Sequence, residues 1–170
     1  MAACLLGCWS RAAEMPLEWV DPDTGYRIVR ISRHHAEARS FYFHNNPFLT
    51  GQSAGGDLMV FYGTKTKGGI PQLCVLDLAT LKSRTLTHET ERVRGEIVSP
   101  LTRRAYYQVG TRVQCVGVDT GEKCQVAELP PDLAGSIRTV NADASRLLGV
   151  YAEGIDELYE KSLPRVNTST

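Results

Sequence analysis

One short pattern recurs along this chain: an apolar stretch, a turn built from Asp, Thr and Gly-type residues, and a second strand-like stretch. The copies occupy residues 20–29, 75–86 and 116–126. Thr80 and Thr120 hold the same place in the last two copies and lie 40 residues apart, close to the period of roughly 40–45 residues of a four-stranded propeller blade. The interval from Thr24 to Thr80 is longer, at 56 residues, which indicates an insertion between the first two copies.

A second repeated element supports this period. Residues 56–61, 102–107 and 144–149 each run a polar turn into an apolar strand-like segment, with spacings of 46 and then 42 residues. Helical patterns are scarce, and the best candidate is the short stretch 154–161. The sequence therefore predicts an all-β fold, a partial β-propeller of about three four-stranded blades over residues 15–163. Because a propeller closes with about four to eight blades, it also predicts a fragment of a larger propeller, with residues 164–170 as a truncated tail.

Composition narrows the classes of partner. The 19 basic and 19 acidic residues leave no net charge, so there is no basic excess to attract nucleic acid. No apolar run approaches the ~18–20 residues of a membrane span. Residues 1–14 are apolar and rich in small residues, which favours a leader and a periplasmic or secreted location. A disordered N-terminus in the cytoplasm is the alternative.

The five cysteines follow no metal-binding spacing; they are Cys4, Cys8, Cys74, Cys115 and Cys124. Cys74 and Cys115 lie inside apolar, strand-like runs, where a thiol behaves as a small core residue. We therefore expect both to be buried free thiols, with a disulfide or a nucleophile as the less favoured alternatives.

The long first interval holds the most unusual local sequence, residues 32–50, where three of the four histidines lie within eleven residues. His34 and His35 are expected to form an exposed loop pair, and His88 is expected at the surface. Residues 41–43 are predicted to form an inner strand with alternate rings in the core. His44, Asn45 and Asn46 then lie at the end of that strand, where imidazole and amide groups suit hydrogen bonding to sugar hydroxyls and carboxylates.

Arginines are a further set of candidate carboxylate ligands. The sequence offers Arg33, Arg39, Arg94, Arg103 and Arg104. Scattered arginines are more often solvated surface charges, so no site is assigned to them from the sequence. The chain contains no nucleophile elbow, phosphate loop or zincin helix.

In the order of its features, the chain resembles the oligogalacturonate lyase family of polysaccharide lyases. The resemblance covers roughly residues 17–153 and is carried by residues 21–25 with 29–32, 40–48, 76–78 with 84–87, 93–100, 118–122 and 140–149. It implies the N-terminal part of a seven-bladed propeller whose parent cleaves galacturonate oligomers from pectin by β-elimination. It further implies a divalent cation, typically manganese, that neutralises the substrate carboxylate, and a basic side chain that removes the adjacent proton.

The resemblance also implies which residues meet the substrate. Tyr42, His44, Asn45 and Asn46 match the position of a channel-facing segment and are expected to contact an oligogalacturonide. No metal ligand and no catalytic base is carried over onto this chain, so the 170 residues are expected to have little or no activity by themselves. The alternative is a non-catalytic propeller serving as a binding module in the cell envelope, and a hydrolase on the same scaffold is a weaker third reading.

Overall fold

Strands account for all the regular secondary structure of the described residues. The computed structural model describes residues 15–51, 56–132, 134–152, 161–162 and 166–167. These residues form antiparallel strands and no helix, which confirms the all-β prediction, and they include no helix able to cross a membrane. The leader predicted over 1–14 lies outside them, as does the helix predicted over 154–161, apart from Lys161 in a short strand.

The chain divides into two structural units, residues 1–33 and residues 34–170. In the first unit, β1 (Glu18–Val20) and β2 (Arg27–Val29) form a hairpin. Its turn is closed by Asp21, whose Oδ1 accepts hydrogen bonds from the backbone N–H of Thr24 at 2.8 Å and of Asp23 at 3.1 Å. Such side-chain capping is why Asp starts this kind of turn.

In the first sheet of the second unit, two short strands share the place of the first strand. Both β3 (Glu37–Arg39) and β4 (Phe48–Leu49) pair with β5 (Leu58–Thr64), at opposite ends of that strand. The sheet continues with β6 (Gln72–Asp77) and β7 (Ser83–Thr85). The chain between β3 and β4, residues 40–47, therefore leaves the sheet; it is called the 40–47 loop below.

Two further sheets follow. The second sheet has the simple order β8-β9-β10-β11, formed by Val93–Ser99, Arg104–Val109, Arg112–Gly117 and Lys123–Glu128. The third sheet pairs β12 with β13, and β13 also pairs with two short strands, β14 and β15; the ranges are Ala134–Val140, Arg146–Ala152, Lys161–Ser162 and Val166–Asn167.

The strand boundaries follow the period read from the sequence. β5, β9 and β13 begin at residues 58, 104 and 146, which reproduces the spacings of 46 and 42. The predicted Asp-Thr-Gly turns connect β6 to β7 and β10 to β11. The β10–β11 turn differs in one residue. The carbonyl of Gly117 accepts a hydrogen bond from Gly121 N–H at 2.8 Å, so Gly117 occupies the position that Asp77 has in the other turn. Asp119 therefore does not cap the turn, and it binds Arg103 at 2.6 Å.

The core lies between successive sheets. One buried cluster joins the first and second sheets and includes Tyr62, Leu73 and Tyr107. Another joins the second and third sheets through Ile97 and Ile137. Each sheet is therefore covered by its neighbour in sequence, the arrangement expected of stacked repeats.

The cysteine prediction holds for Cys74 and is wrong for Cys115. Cys74 is a buried free thiol, and burial raises its pKa. Cys115 forms a disulfide with Cys124. The two residues are directly opposite in the β10–β11 pair with Cα atoms 5.2 Å apart, a separation that suits a disulfide; the Thr-Gly turn between them sets this register.

Candidate functional site

The first strand of each large sheet departs from regular pairing at the same place. In the second sheet, a bulge after Arg94 sets two residues against Tyr107. In the third sheet, Arg138 is the extra residue, since Ile137 pairs with Gly149 and Thr139 with Leu148. In the first sheet, the whole 40–47 loop stands opposite two residues of β5, because Arg39 pairs with Tyr62 and Phe48 with Met59. Bulges re-aim side chains and are common beside functional sites.

These irregular segments surround two adjoining grooves within the second unit. The large groove has a volume of about 820 Å³, and the small groove has about 350 Å³. Side chains from all three sheets line the large groove, among them Arg39, Tyr42, His44, Asn45, Tyr62, Arg92, Arg94, Glu96, Ser136, Arg138 and Thr139. The size is that of a typical small-molecule site, roughly 300–1,000 Å³.

Positive charge dominates the large groove. Among the described residues, its lining contains four arginines and one carboxylate, Glu96. Arg39 lies 4.0 Å from that carboxylate and 5.0 Å from the centre of the Tyr62 ring. Arg92, Arg94 and Arg138 are exposed and form no ion pair with any described residue. The groove therefore presents guanidinium groups available to an anionic ligand.

The 40–47 loop does not have the strand conformation predicted for residues 41–43. Asn45 N–H donates to the Tyr42 carbonyl at 2.9 Å, which closes a turn directly after Phe41. Only Phe41 enters the core, whereas Tyr42 and Phe43 are 58% and 85% exposed. The prediction is wrong because β5 offers this segment only two ladder positions, so most of the loop must leave the sheet.

The loop brings the predicted substrate-binding residues together. Tyr42, His44 and Asn45 line the large groove, and His44, Asn45 and Asn46 line the small one. The Tyr42 ring centre lies 4.4 Å from that of Phe43 and 4.6 Å from that of His44. Asn46 uses its Oδ1 to accept the Phe48 N–H at 3.0 Å, a local turn contact. Substrate contact by these residues stays a prediction.

The remaining histidines lie elsewhere. His34 and His88 are exposed, as predicted, but His35 is half-buried. Its Nε2 forms a hydrogen bond with Ser83 Oγ at 3.1 Å, and burial lowers its pKa. The ring fits here because position 63 is Gly: a Cβ there would lie 2.5 Å from His35 Nδ1. Within the described ranges, no group of three His, Cys, Asp or Glu side chains could hold a metal ion.

Of the arginines that the sequence offered, Arg39 and Arg94 line the large groove. Arg103 instead binds Asp119 through two nitrogens, at 2.6 and 2.9 Å. Sequence reasoning missed Arg92 and Arg138. A signal for Arg138 existed: the 42-residue spacing places it in the repeat position of Glu96, and both residues lie in the bulge of their strand.

Tyr62 is a buried residue in the lining of the large groove. It is 2% exposed, and burial, reinforced by the Glu96 carboxylate, raises its pKa. Its hydroxyl therefore stays protonated at neutral pH, so it can donate a hydrogen bond but cannot serve as a base there.

Stacked antiparallel sheets of about four strands are the architecture of β-propeller blades. Among solved structures, an oligogalacturonate lyase in complex with manganese aligns with this chain at a TM-score of 0.63 and 23% sequence identity, over 79% of this chain and 35% of that one. The oligogalacturonate lyase of Vibrio parahaemolyticus aligns at a TM-score of 0.63 and 19% identity, with the same coverage. The resemblance predicted from the sequence is thus confirmed at the level of the fold.

Those alignments cover part of the compared proteins. This chain spans 35% of the length of both, about a third. No protein-family model matches the sequence, and no curated protein does. The likeness therefore defines the fold of this chain.

Proposed function

We propose that this chain forms the galacturonate-binding part of an oligogalacturonate-lyase-like protein, which cleaves galacturonate oligomers, the products of pectin breakdown, by β-elimination. The observation that carries the proposal is the large groove, where four arginines from three sheets converge in a fold that resembles oligogalacturonate lyase. A neutral chain with 19 residues of each charge has no general excess of positive charge to produce this concentration.

The chemistry of galacturonate fits these residues. Each sugar unit of the oligomer carries one carboxylate, and a guanidinium binds a carboxylate through two parallel hydrogen bonds. Three of the groove arginines have no acidic partner among the described residues, so binding would break no existing ion pair. Positive charge held against the substrate carboxylate also stabilises the negative charge that develops when the adjacent proton is removed.

The neighbouring loop supplies the complementary contacts. The Tyr42 ring is exposed beside the groove and offers an apolar face to the carbon-bound hydrogens of a pyranose. Asn45 and His44 add hydrogen-bonding groups at the junction of the two grooves. The two grooves adjoin, which favours an oligomer over a single sugar.

Manganese accompanies one of the compared lyases, but the described residues of this chain offer no cluster that fits it. The described residues therefore do not supply a metal-binding set of their own. We expect the 170-residue chain to bind galacturonate oligomers without cleaving them at an appreciable rate. Absorbance of the unsaturated product from digalacturonate measures this, and robust turnover would contradict it.

Calorimetric titration with trigalacturonate at low ionic strength tests the binding proposal. Arg94→Gln should weaken binding about tenfold, because a charge-assisted bidentate contact is worth roughly 1.5 kcal/mol or more. Lys67→Gln also removes one positive charge, from an exposed hairpin outside both grooves, and should leave affinity unchanged. Equal binding of an uncharged galactose trimer, or equal loss in both variants, would contradict the proposal.

We also propose that the protein works in the periplasm or outside the cell. The Cys115–Cys124 disulfide supports this location, because disulfides persist in oxidising compartments and are rare in the cytoplasm. Fractionation of cells that produce the native protein tests the proposal, and recovery in the cytoplasm with both thiols reduced would contradict it.

A further inference from the structure

Glu96 joins two sheets at the large groove and is the one acidic residue among the described residues that line it. It lies in the bulge of β8, in the second sheet. Its Oε2 accepts the backbone N–H of Tyr42 at 2.8 Å, and its Oε1 lies 4.0 Å from Arg39 Nη2. Both partners belong to the strand and loop that begin the first sheet, so one carboxylate contacts both across the groove.

The 40–47 loop has few other polar attachments. Its hydrogen bond from Asn45 N–H to Tyr42 is internal, and that from Phe48 N–H to Asn46 is local. At its end, the Pro47 carbonyl accepts from Val60 N–H in the same sheet. The bond to Glu96 spans 54 residues of sequence and, among the described residues, is the hydrogen bond that joins the exposed part of the loop to a different sheet, beside the buried ring of Phe41.

We propose that Glu96 is a positioning residue that holds the 40–47 loop over the large groove. A carboxylate that accepts a backbone N–H makes a charge-assisted bond, about twice as strong as a neutral one. The bond orders Tyr42 and, through the turn that follows, His44 and Asn45 before a ligand arrives. Groups fixed in advance lose less entropy on binding, so the anchor raises affinity.

Glu96 also places negative charge in a groove that we propose binds an anion, and this charge acts on affinity in the opposite direction to loop positioning. Charge repulsion would weaken binding, whereas loop positioning strengthens it. Two substitutions separate the effects. Glu96→Gln removes the charge but keeps an oxygen that can accept the Tyr42 N–H, whereas Glu96→Ala removes both the charge and the acceptor.

Hydrogen exchange of the Tyr42 amide tests the anchor without any ligand. We expect protection in the native protein, most of it retained in Glu96→Gln, and at least tenfold faster exchange in Glu96→Ala. Glu91→Ala is the matched control: Glu91 is an exposed acid just before β8 that pairs with Arg112 at 3.6 Å, and its loss should leave Tyr42 exchange unchanged. If Glu96→Ala fails to fold, Glu96→Ser gives the same reading, since its short side chain cannot reach Tyr42.

Trigalacturonate titration supplies the second reading, which rests on the proposed function. We expect Glu96→Gln to bind at least as tightly as the native chain, and Glu96→Ala to bind about five- to tenfold more weakly than Glu96→Gln. Native exchange in Glu96→Ala, or equal affinity in the two variants, would overturn the positioning role. Absence of binding to the native chain would overturn the proposed function instead, and the exchange result would still decide the anchor.

Discussion

Gly95 provides the sharpest test of how the groove is built. It lies in the β8 bulge with φ at +84°, a conformation that favours glycine. A Cβ at this position would lie 2.8 Å from Cδ1 and 2.9 Å from Cγ1 of Ile137, which is buried in the adjacent sheet. Gly95→Ala therefore combines two costs, backbone strain and a steric clash between sheets.

The two costs can be estimated separately. A positive φ costs a residue with a Cβ roughly 1–2 kcal/mol, and forcing an extra methyl into a packed core costs typically 1–3 kcal/mol. We expect Gly95→Ala to lower the free energy of unfolding by about 2–5 kcal/mol. Gly68 is the matched control, with φ at +71° and nothing within 4 Å of an added Cβ, so Gly68→Ala should show the strain term alone, about 1–2 kcal/mol.

Urea unfolding of the single and double variants measures these terms. Ile137→Val removes the closest methyl group and by itself costs about 0.5–1.5 kcal/mol. In the Gly95→Ala background it should relieve part of the clash, giving a favourable coupling of at least about 0.5 kcal/mol. Equal losses in Gly95→Ala and Gly68→Ala, with no coupling to Ile137→Val, would refute the close sheet-to-sheet contact as the reason for glycine.

Three further predictions concern stability. Thr64→Val should leave stability in thermal unfolding unchanged or raise it by up to about 1 kcal/mol. The buried Thr64 hydroxyl has no hydrogen-bond partner in the described part of the chain, so no bond compensates for its loss of hydration. A clear loss of stability would contradict this. Arg103 lowers the pKa of Asp119, so the native protein should be more stable than Asp119→Asn. This difference in stability should have its full size above the ordinary Asp pKa, near 3.9, and should vanish as pH falls through the lowered native pKa. A pH-independent difference would exclude the ion pair as its source. Reducing the Cys115–Cys124 disulfide, which closes a short loop, should cost roughly 2.5 kcal/mol by chain entropy, equally in Cys74→Ala; an unchanged melting temperature would argue against the disulfide.

The repeat could be predicted from the sequence because each copy depends on residues that are close together in the chain. The turns share local requirements. Asp77 Oδ1 accepts the N–H groups of Ala79 and Thr80 at 2.9 Å, as Asp21 does in the first hairpin, and a residue with positive φ follows at Leu81 or Gly121. Such requirements recur at fixed spacing wherever the same hairpin recurs. The strand starts at 58, 104 and 146 follow directly.

The site was harder to predict because it depends on departures from that regularity. The aromatic run at residues 41–43 has the composition of a strand, and only the shortage of ladder positions on β5 excludes it. His35 is half-buried because it packs beside Gly63, on a strand 28 residues further along. The Cys115 pairing likewise follows from register across β10 and β11. These are tertiary facts, and strand composition cannot encode them.

The departures themselves share one physical cause. Regular pairing fixes alternate side chains on the two faces of a sheet, and the second sheet packs against a neighbouring sheet on each face. A charged side chain in regular pairing at the middle of β8 would then be buried, at a high desolvation cost. An extra residue in the first strand gives Glu96 and Arg138 a direction along the sheet edge, toward the groove, without burying charge. The 40–47 loop has the same effect with more residues. The insertion that lengthens the first interval of the repeat and the one-residue bulges of β8 and β12 therefore line the same groove.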